Sequence, residues 1–226
     1  MDIALAFTEA GSGTPLILLH GNGEDGTYFA PHIVALARHF RVIALDTRGH
    51  GKSPRGSAPF TIGQFARDLR DFMDAQGIEK ASLLGFSDGG NIALTFALAY
   101  PDRVDRLILN GANLDPSGVK PSVQIPIVLD YCLATVLARV SPRAGRKAEL
   151  LGLMVREPHI PPSALGHIAA PALVIAGTHD MIREKHTRLI ARSLPNSQLE
   201  ILPGDHFIAR TNPEGFRRAV EAFLLA

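Results

Sequence analysis

Short apolar runs alternate with stretches of helical periodicity along this chain. Leu16–His20 (LILLH), Arg41–Leu45 (RVIAL), Ala81–Phe86 (ASLLGF), Arg106–Asn110 (RLILN) and Ala172–Gly177 (ALVIAG) are rich in Leu, Ile or Val with little polar alternation. That is the pattern of strands buried on both faces of a parallel sheet. Gln198–Leu202 (QLEIL) is a weaker run of the same kind. Between the runs lie helical patterns, of which Thr61–Gly77 is the clearest. Thr61 followed by Gln64 is a capping box, and Gly77 suits the position just past a helix end. Ile62, Phe65, Ala66, Leu69, Phe72 and Met73 fall at spacings of three and four and make one stripe. Asp88–Tyr100, stopped by Pro101, predicts another helix, as do Tyr28–His39, Arg183–Leu194 and Pro213–Leu225. The alternation predicts an α/β fold, a mostly parallel sheet flanked by helices, with ligands at the carboxyl ends of the strands.

The alternation breaks between Asn110 and Ala172. A Gly/Pro/Asn/Asp-rich stretch, Gly111–Pro121, precedes two helical patterns at Ile127–Val140 and Ala144–Arg156, and then Pro158, Pro161 and Pro162. Because it leaves from the carboxyl end of a strand, this insertion is expected to be a helical cap at about 111–168 on a single domain spanning 1–226. Val123, Ile125, Ile127, Leu129, Leu133 and Val136 make it apolar, which favours a substrate with an apolar acyl or alcohol part.

Composition narrows the field. A chain of 226 residues and this mix, 46% hydrophobic and 20% charged, is an ordinary globular one. It is large enough to fold to roughly 10,000 Å² of accessible surface from about 35,000 Å² extended, so it needs no disulfide or metal to hold a core. The 23 basic and 22 acidic residues leave a net charge of +1, and no dense Lys/Arg block suggests a nucleic-acid partner. Cys132 is the sole cysteine, which excludes an intrachain disulfide and a thiolate zinc cluster. The first residues lack the basic and apolar regions of a secretory signal, and Pro126, Asp130 and Arg139 interrupt the longest apolar stretch. A cytoplasmic location without a membrane partner is expected.

Candidate chemistry sits at the strand ends. Gly85-Phe86-Ser87-Asp88-Gly89 follows one predicted strand and opens a predicted helix. This is G-x-S-x-G in the context it requires: a sharp turn exposes Ser87, and side chains at 85 and 89 would clash. A serine needs a base and an orienting acid. Asp180 and then His206 each stand just past a later strand, in the order expected. His20-Gly21-Asn22-Gly23 follows the first run, where backbone N–H groups of Asn22 and Asp88 can form an oxyanion hole, with His20 bracing the turn. Asp115, past the preceding strand, is the fallback acid.

With HGNG at 20–23, DTRGHGKS at 46–53, GFSDGG at 85–90, GTHD at 177–180 and GDHF at 204–207, the chain resembles the α/β-hydrolase superfamily over nearly its whole length. The elbow is similar to that of small carboxylesterases. The resemblance implies that Asp46–Ser53 is a structural loop and that the leading antiparallel strands are trimmed or merged around Ile3–Glu9. Asp205 stands where the family often has glycine.

Gly21-Asn22-Gly23-Glu24-Asp25-Gly26, with Asp46 beyond it, also matches a dinucleotide fingerprint. Two carboxylates beside a pyrophosphate count against it, and it leaves Ser87, Asp180 and His206 unexplained. His179 and His186 are a weak metal pair, and Asp88 suits either a helix N-terminus or a cationic substrate group. The expected activity is hydrolysis of a small-to-medium carboxylic ester through an acyl-enzyme on Ser87, with no cofactor or metal. The alternatives are C–C bond or amide hydrolysis, acyl transfer or perhydrolysis on the same residues, and a ligand-binding protein on a hydrolase scaffold.

Overall fold

In the computed structural model, which describes residues 2–226, the apolar runs become the inner strands of one seven-stranded sheet. The strands are β1 (Phe7–Ala10), β2 (Pro15–Leu19), β3 (Arg41–Leu45), β4 (Ala81–Phe86), β5 (Val104–Asn110), β6 (Ala172–Gly177) and β7 (Ser197–Leu202). Their order is β1-β3-β2-β4-β5-β6-β7, and all but β1 run parallel. β3, β4 and β6 occupy the spans expected from the sequence. β1 pairs antiparallel with β3, and its mostly exposed Phe-Thr-Glu-Ala sequence carries no burial pattern.

Alternate side chains of the buried strands enter two cores. Ile17, Leu19, Leu83, Leu107, Leu109 and Val174 pack under α2 (Ile62–Ala75), α3 (Asp88–Ala99) and α6 (Glu184–Ser193). Leu16, Leu18, Leu84, Ile108 and Ile175 pack under α1 (Ala30–Leu36) and α8 (Pro213–Leu224). The Thr61 hydroxyl accepts the Gln64 N–H at 3.1 Å, capping α2 as its sequence requires. The chain runs from β2 out to β3, then crosses back to β4 on the other side of β2. This reversal is a topological switch point, where strand-end loops diverge and leave a crevice. The loops after β2 and β4 flank it, with Leu19 paired to Gly85.

Between β5 and β6 stand α4 (Pro121–Leu137) and α5 (Pro142–Arg156), packed on each other. α4 begins before the expected Ile127 and runs through Pro126. Proline removes the bond to the carbonyl four residues back; that residue, Ser122, is exposed, so water can serve its carbonyl. The apolar residues of α4 also face differently from the expectation. Ile125, Leu129, Leu133 and Val136 are 58%, 66%, 59% and 65% exposed, and only Val123 and Ile127 of the six are half-buried. The other face of α4 holds the contacts to α5: Gln124 Nε2 donates to the Met154 carbonyl at 3.1 Å, and Tyr131 lies under the Arg156 guanidinium. Most of the apolar surface of α4 is therefore exposed rather than packed against the rest of the chain. No helix among the described residues is long and apolar enough to cross a membrane.

The loop at 46–53 is anchored by Arg48, which is fully buried and meets Asp68 of α2 through two bonds of 2.7 Å. Asp2 takes a further guanidinium N–H at 2.6 Å. Removing Asp68 leaves the buried guanidinium with Asp2, which is only partly buried, as its sole carboxylate partner among the described residues, and breaking a buried pair is costly. Asp68→Ala is therefore expected to lower unfolding stability by about 3 kcal/mol, read as an earlier urea midpoint with an unchanged slope.

Candidate active site

β4 ends at Phe86 and α3 starts at Asp88, so the whole change of direction falls on Ser87. Ser87 takes φ 52°, the one positive φ among described residues other than glycine. Such strain costs on the order of 1–3 kcal/mol and persists only where the surroundings enforce it. They do so here through close backbone approach. A Cβ at Gly85 would collide with the Gly89 backbone, and one at Gly89 with the Leu19 carbonyl.

The later strand ends bring two more groups to the serine. Ser87 Oγ lies 3.0 Å from His206 Nε2, and His206 Nδ1 lies 2.7 Å from Asp180 Oδ1. Ionised Asp180 can only accept, so Nδ1 carries the proton and Nε2 is left to accept from the serine hydroxyl. Asp180 and His206 are both buried. Asp180 Oδ1 also accepts the Ile182 N–H at 2.8 Å, which fixes the carboxyl. Gly111 leaves room for the ring: it has φ +64°, and a Cβ there would come within 2.7 Å of the imidazole. Phe86 underlies the ring at 4.9 Å and stacks on Tyr28 at 4.3 Å. Asp205 has its own task. Its Oδ1 accepts from the Phe207 N–H and the Thr211 hydroxyl at 2.9 and 3.0 Å, holding the turn that presents His206.

Asn22 and Asp88 meet across the switch point. The N–H of Asp88, at the start of α3, has no intrahelical acceptor. That of Asn22 has no hydrogen-bond acceptor among the described residues. The Asp88 side chain is buried, and both its carboxyl oxygens are engaged. Its Oδ2 accepts from Asn22 Nδ2 at 2.9 Å, and its Oδ1 from Asn91 Nδ2 at 3.4 Å. Burial, aided by the Glu157 carboxylate, pushes its pKa up from 3.8 to about 6, against the pull of the Asn22 bond.

The remaining candidates are structural in position. His20 donates from Nδ1 to the Gly21 carbonyl at 2.7 Å and accepts the Thr47 N–H at Nε2. Burial and the neighbouring His50 push its pKa down to about 4, so it braces the turn as a neutral ring. Asp46 accepts the N–H groups of Gly26 and Lys52, both at 2.8 Å, so both carboxyl oxygens are engaged within its own loop rather than offered to a ribose. Asp115 pairs with His159 at 2.8 Å on the surface, away from His206. His186 accepts the Leu114 N–H at 2.9 Å, whereas His179 lies 3.0 Å from the Thr178 hydroxyl, so the two histidines have separate partners. Among the described residues, no group of three or more His, Cys, Asp or Glu gathers around a possible metal.

The profile of the alpha/beta hydrolase fold matches residues 14–150. The chain belongs to the α/β-hydrolase family. A Caulobacter protein, named as a candidate carbamate hydrolase, RutD, is 32% identical over 92% of this hydrolase and 90% of its own length. An esterase from Thermogutta terrifontis superposes with a TM-score of 0.81 at 26% identity, covering 98% of this chain and 93% of its own. The enol-lactonase of Burkholderia xenovorans has the same fold, with a TM-score of 0.83 at 24% identity over 99% of this hydrolase and 97% of its own chain.

The raised pKa of Asp88 sets a direction for stability. Folding favours its protonated form, so its cost to the folded state is full above pH 6, shrinks as pH falls through 6, and is gone below about pH 4. Asp88→Asn removes this pH dependence, so its stability relative to the wild type is expected to be higher at pH 8 than at pH 4, by on the order of 3 kcal/mol. Urea titrations across that range measure it.

Proposed function

We propose that this hydrolase is a serine esterase acting on small-to-medium carboxylic esters. The observation that carries the reading is the unbroken hydrogen-bonded line from Ser87 Oγ through His206 to Asp180, with the serine on a strained elbow. His206 Nε2 takes the hydroxyl proton as Ser87 Oγ bonds to the ester carbonyl carbon. The carbonyl electrons move onto oxygen, and the backbone N–H groups of Asn22 and Asp88 receive that oxyanion. Asp180 holds the imidazole tautomer and stabilises the imidazolium. Collapse breaks the bond to the alcohol oxygen, which leaves with the proton from His206. Water, deprotonated by the same nitrogen, then attacks the acyl-enzyme and releases the acid.

A carbamate is the second substrate class. The name of the Caulobacter relative favours it, and the same acyl transfer to serine cleaves it. Parallel series of p-nitrophenyl esters and p-nitrophenyl carbamates separate the two by kcat/KM.

A fluorophosphonate probe is expected to label the wild type stoichiometrically and Ser87→Ala not at all. An active Ser87→Ala, or an unlabelled and inactive wild type, overturns the serine reading. Asp180→Asn is expected to lower kcat roughly 10³–10⁴-fold with its fold retained, as loss of the orienting carboxylate does. Near-normal turnover would remove Asp180 from the mechanism.

A further inference from the structure

We propose that Asp88 is a positioning residue which, through the Asn22 side chain, couples docking of the α4–α5 cap to assembly of the oxyanion hole. This rests on the serine-hydrolase reading and adds to it a control on the same site.

The side-chain amide of Asn22 has two hydrogens, and the geometry provides an acceptor for each. One is Asp88 Oδ2 at 2.9 Å. The other is the Leu150 carbonyl of α5 at 2.8 Å. One side chain thus joins the loop after β2, the first residue of α3 and the cap. Asp88 is wired to the base of the cap as well. Asn91 Nδ2, its second donor, also reaches Asn113 Oδ1 at 3.1 Å. Asn91 Oδ1 in turn accepts the Asn113 N–H at 2.9 Å. Asn113 then donates to the Asp115 carbonyl at 3.0 Å, in the segment that leads into the cap. The cap therefore meets the Asp88 carboxyl network at two separated places.

The backbone consequence follows from where these side chains originate. The two N–H groups assigned to the oxyanion belong to Asn22 and Asp88, the residues whose side chains bond each other. An oxyanion hole is effective only when its donors are already aimed at the place where charge develops. The side-chain bond fixes one donor relative to the other, and the Leu150 carbonyl locks Asn22 only while the cap is seated. A lifted cap takes away that acceptor and leaves the loop after β2 tethered at one point. This also accounts for a carboxylate kept where burial disfavours it: an ionised carboxyl is a stronger acceptor for the Asn22 amide than a neutral group.

Asp88→Ala, Asp88→Asn, Asn22→Ala and the double alanine variant test it with a short p-nitrophenyl ester. Asp88→Ala is expected to lower kcat roughly 10–100-fold, less than outright loss of an oxyanion donor, with KM changed less than about threefold. Asp88→Asn, whose carbonyl still accepts from Asn22, is expected to recover most of that kcat. Asn22→Ala keeps its backbone N–H and is expected to match Asp88→Ala, with the double variant no slower than the slower single. Should Asp88→Ala fail to fold, the Asn22→Ala arm carries the same comparison. Hydrogen–deuterium exchange is expected to rise in both 20–24 and 147–153 in either alanine variant. Full kcat in the alanine variants, Asp88→Asn as slow as Asp88→Ala, additive losses in the double variant, or faster exchange in the loop alone each overturn the coupling. Fluorophosphonate labelling of the wild type keeps the outcomes apart. An unlabelled and inactive wild type overturns the serine reading and the coupling together, whereas a labelled, active wild type with any of those four results overturns the coupling alone.

Discussion

The turn at Ser87 is the constraint around which the rest of the molecule is arranged. One residue must end a buried strand and begin a helix, and it does so in a backbone region that L-amino acids rarely occupy. Nothing local favours that conformation. It is imposed by β4, paired on both sides within the sheet, and by α3, whose first turn presses against the end of β2. Both glycines of the elbow are consequences of that pressure. So is the layout of the site: with β4 fixed beside β2, the first turn of α3 and the loop carrying Asn22 have to share the switch point.

The neighbouring groups show how much polar material this crevice absorbs. Asp180, His206, Asp88, Asn91 and Asn113 are all buried, and each finds hydrogen-bond partners among the others or in the backbone. Buried polar networks rigidify a site when satisfied and are costly when partly satisfied. The His206–Asp180 pair reaches the serine hydroxyl, and the Asp88–Asn22 pair joins the residue after the serine to the loop after β2. In the proposed mechanism the first handles a proton, while the second orients backbone dipoles. Asp88 is the expensive member, because burial disfavours its ionised form and only two amide donors offset that cost.

What the sequence disclosed follows from which forces leave a mark on composition. Inner strands buried on both faces must be apolar throughout, so Ala81–Phe86 and Ala172–Gly177 could be delimited to the residue. The elbow was legible because its sterics admit only small residues at 85 and 89. β1 was not, since an edge strand with exposed faces tolerates Thr8 and Glu9. In α4 the composition was clear but the facing was not: a helix apolar on both sides does not declare which side packs. The bond from Asn22 to Leu150 spans 128 positions and ends on a backbone carbonyl, which any residue supplies. Asp205 was noticed as a departure from the family pattern, but its role as the cap of the His206 turn depended on Thr211 lying on the same turn.

Cys132 lies exposed on α4 and is the chain's sole thiol. It takes no part in the hydrogen-bonded line through Ser87, His206 and Asp180. A maleimide dye or spin label placed on the native protein would therefore attach at one position, on α4 of the inserted helical pair, with no engineered cysteine. The molecule carries its own reporter handle, on the element whose seating against the crevice is at issue, and its signal can be followed during turnover without altering the residues assigned to the chemistry.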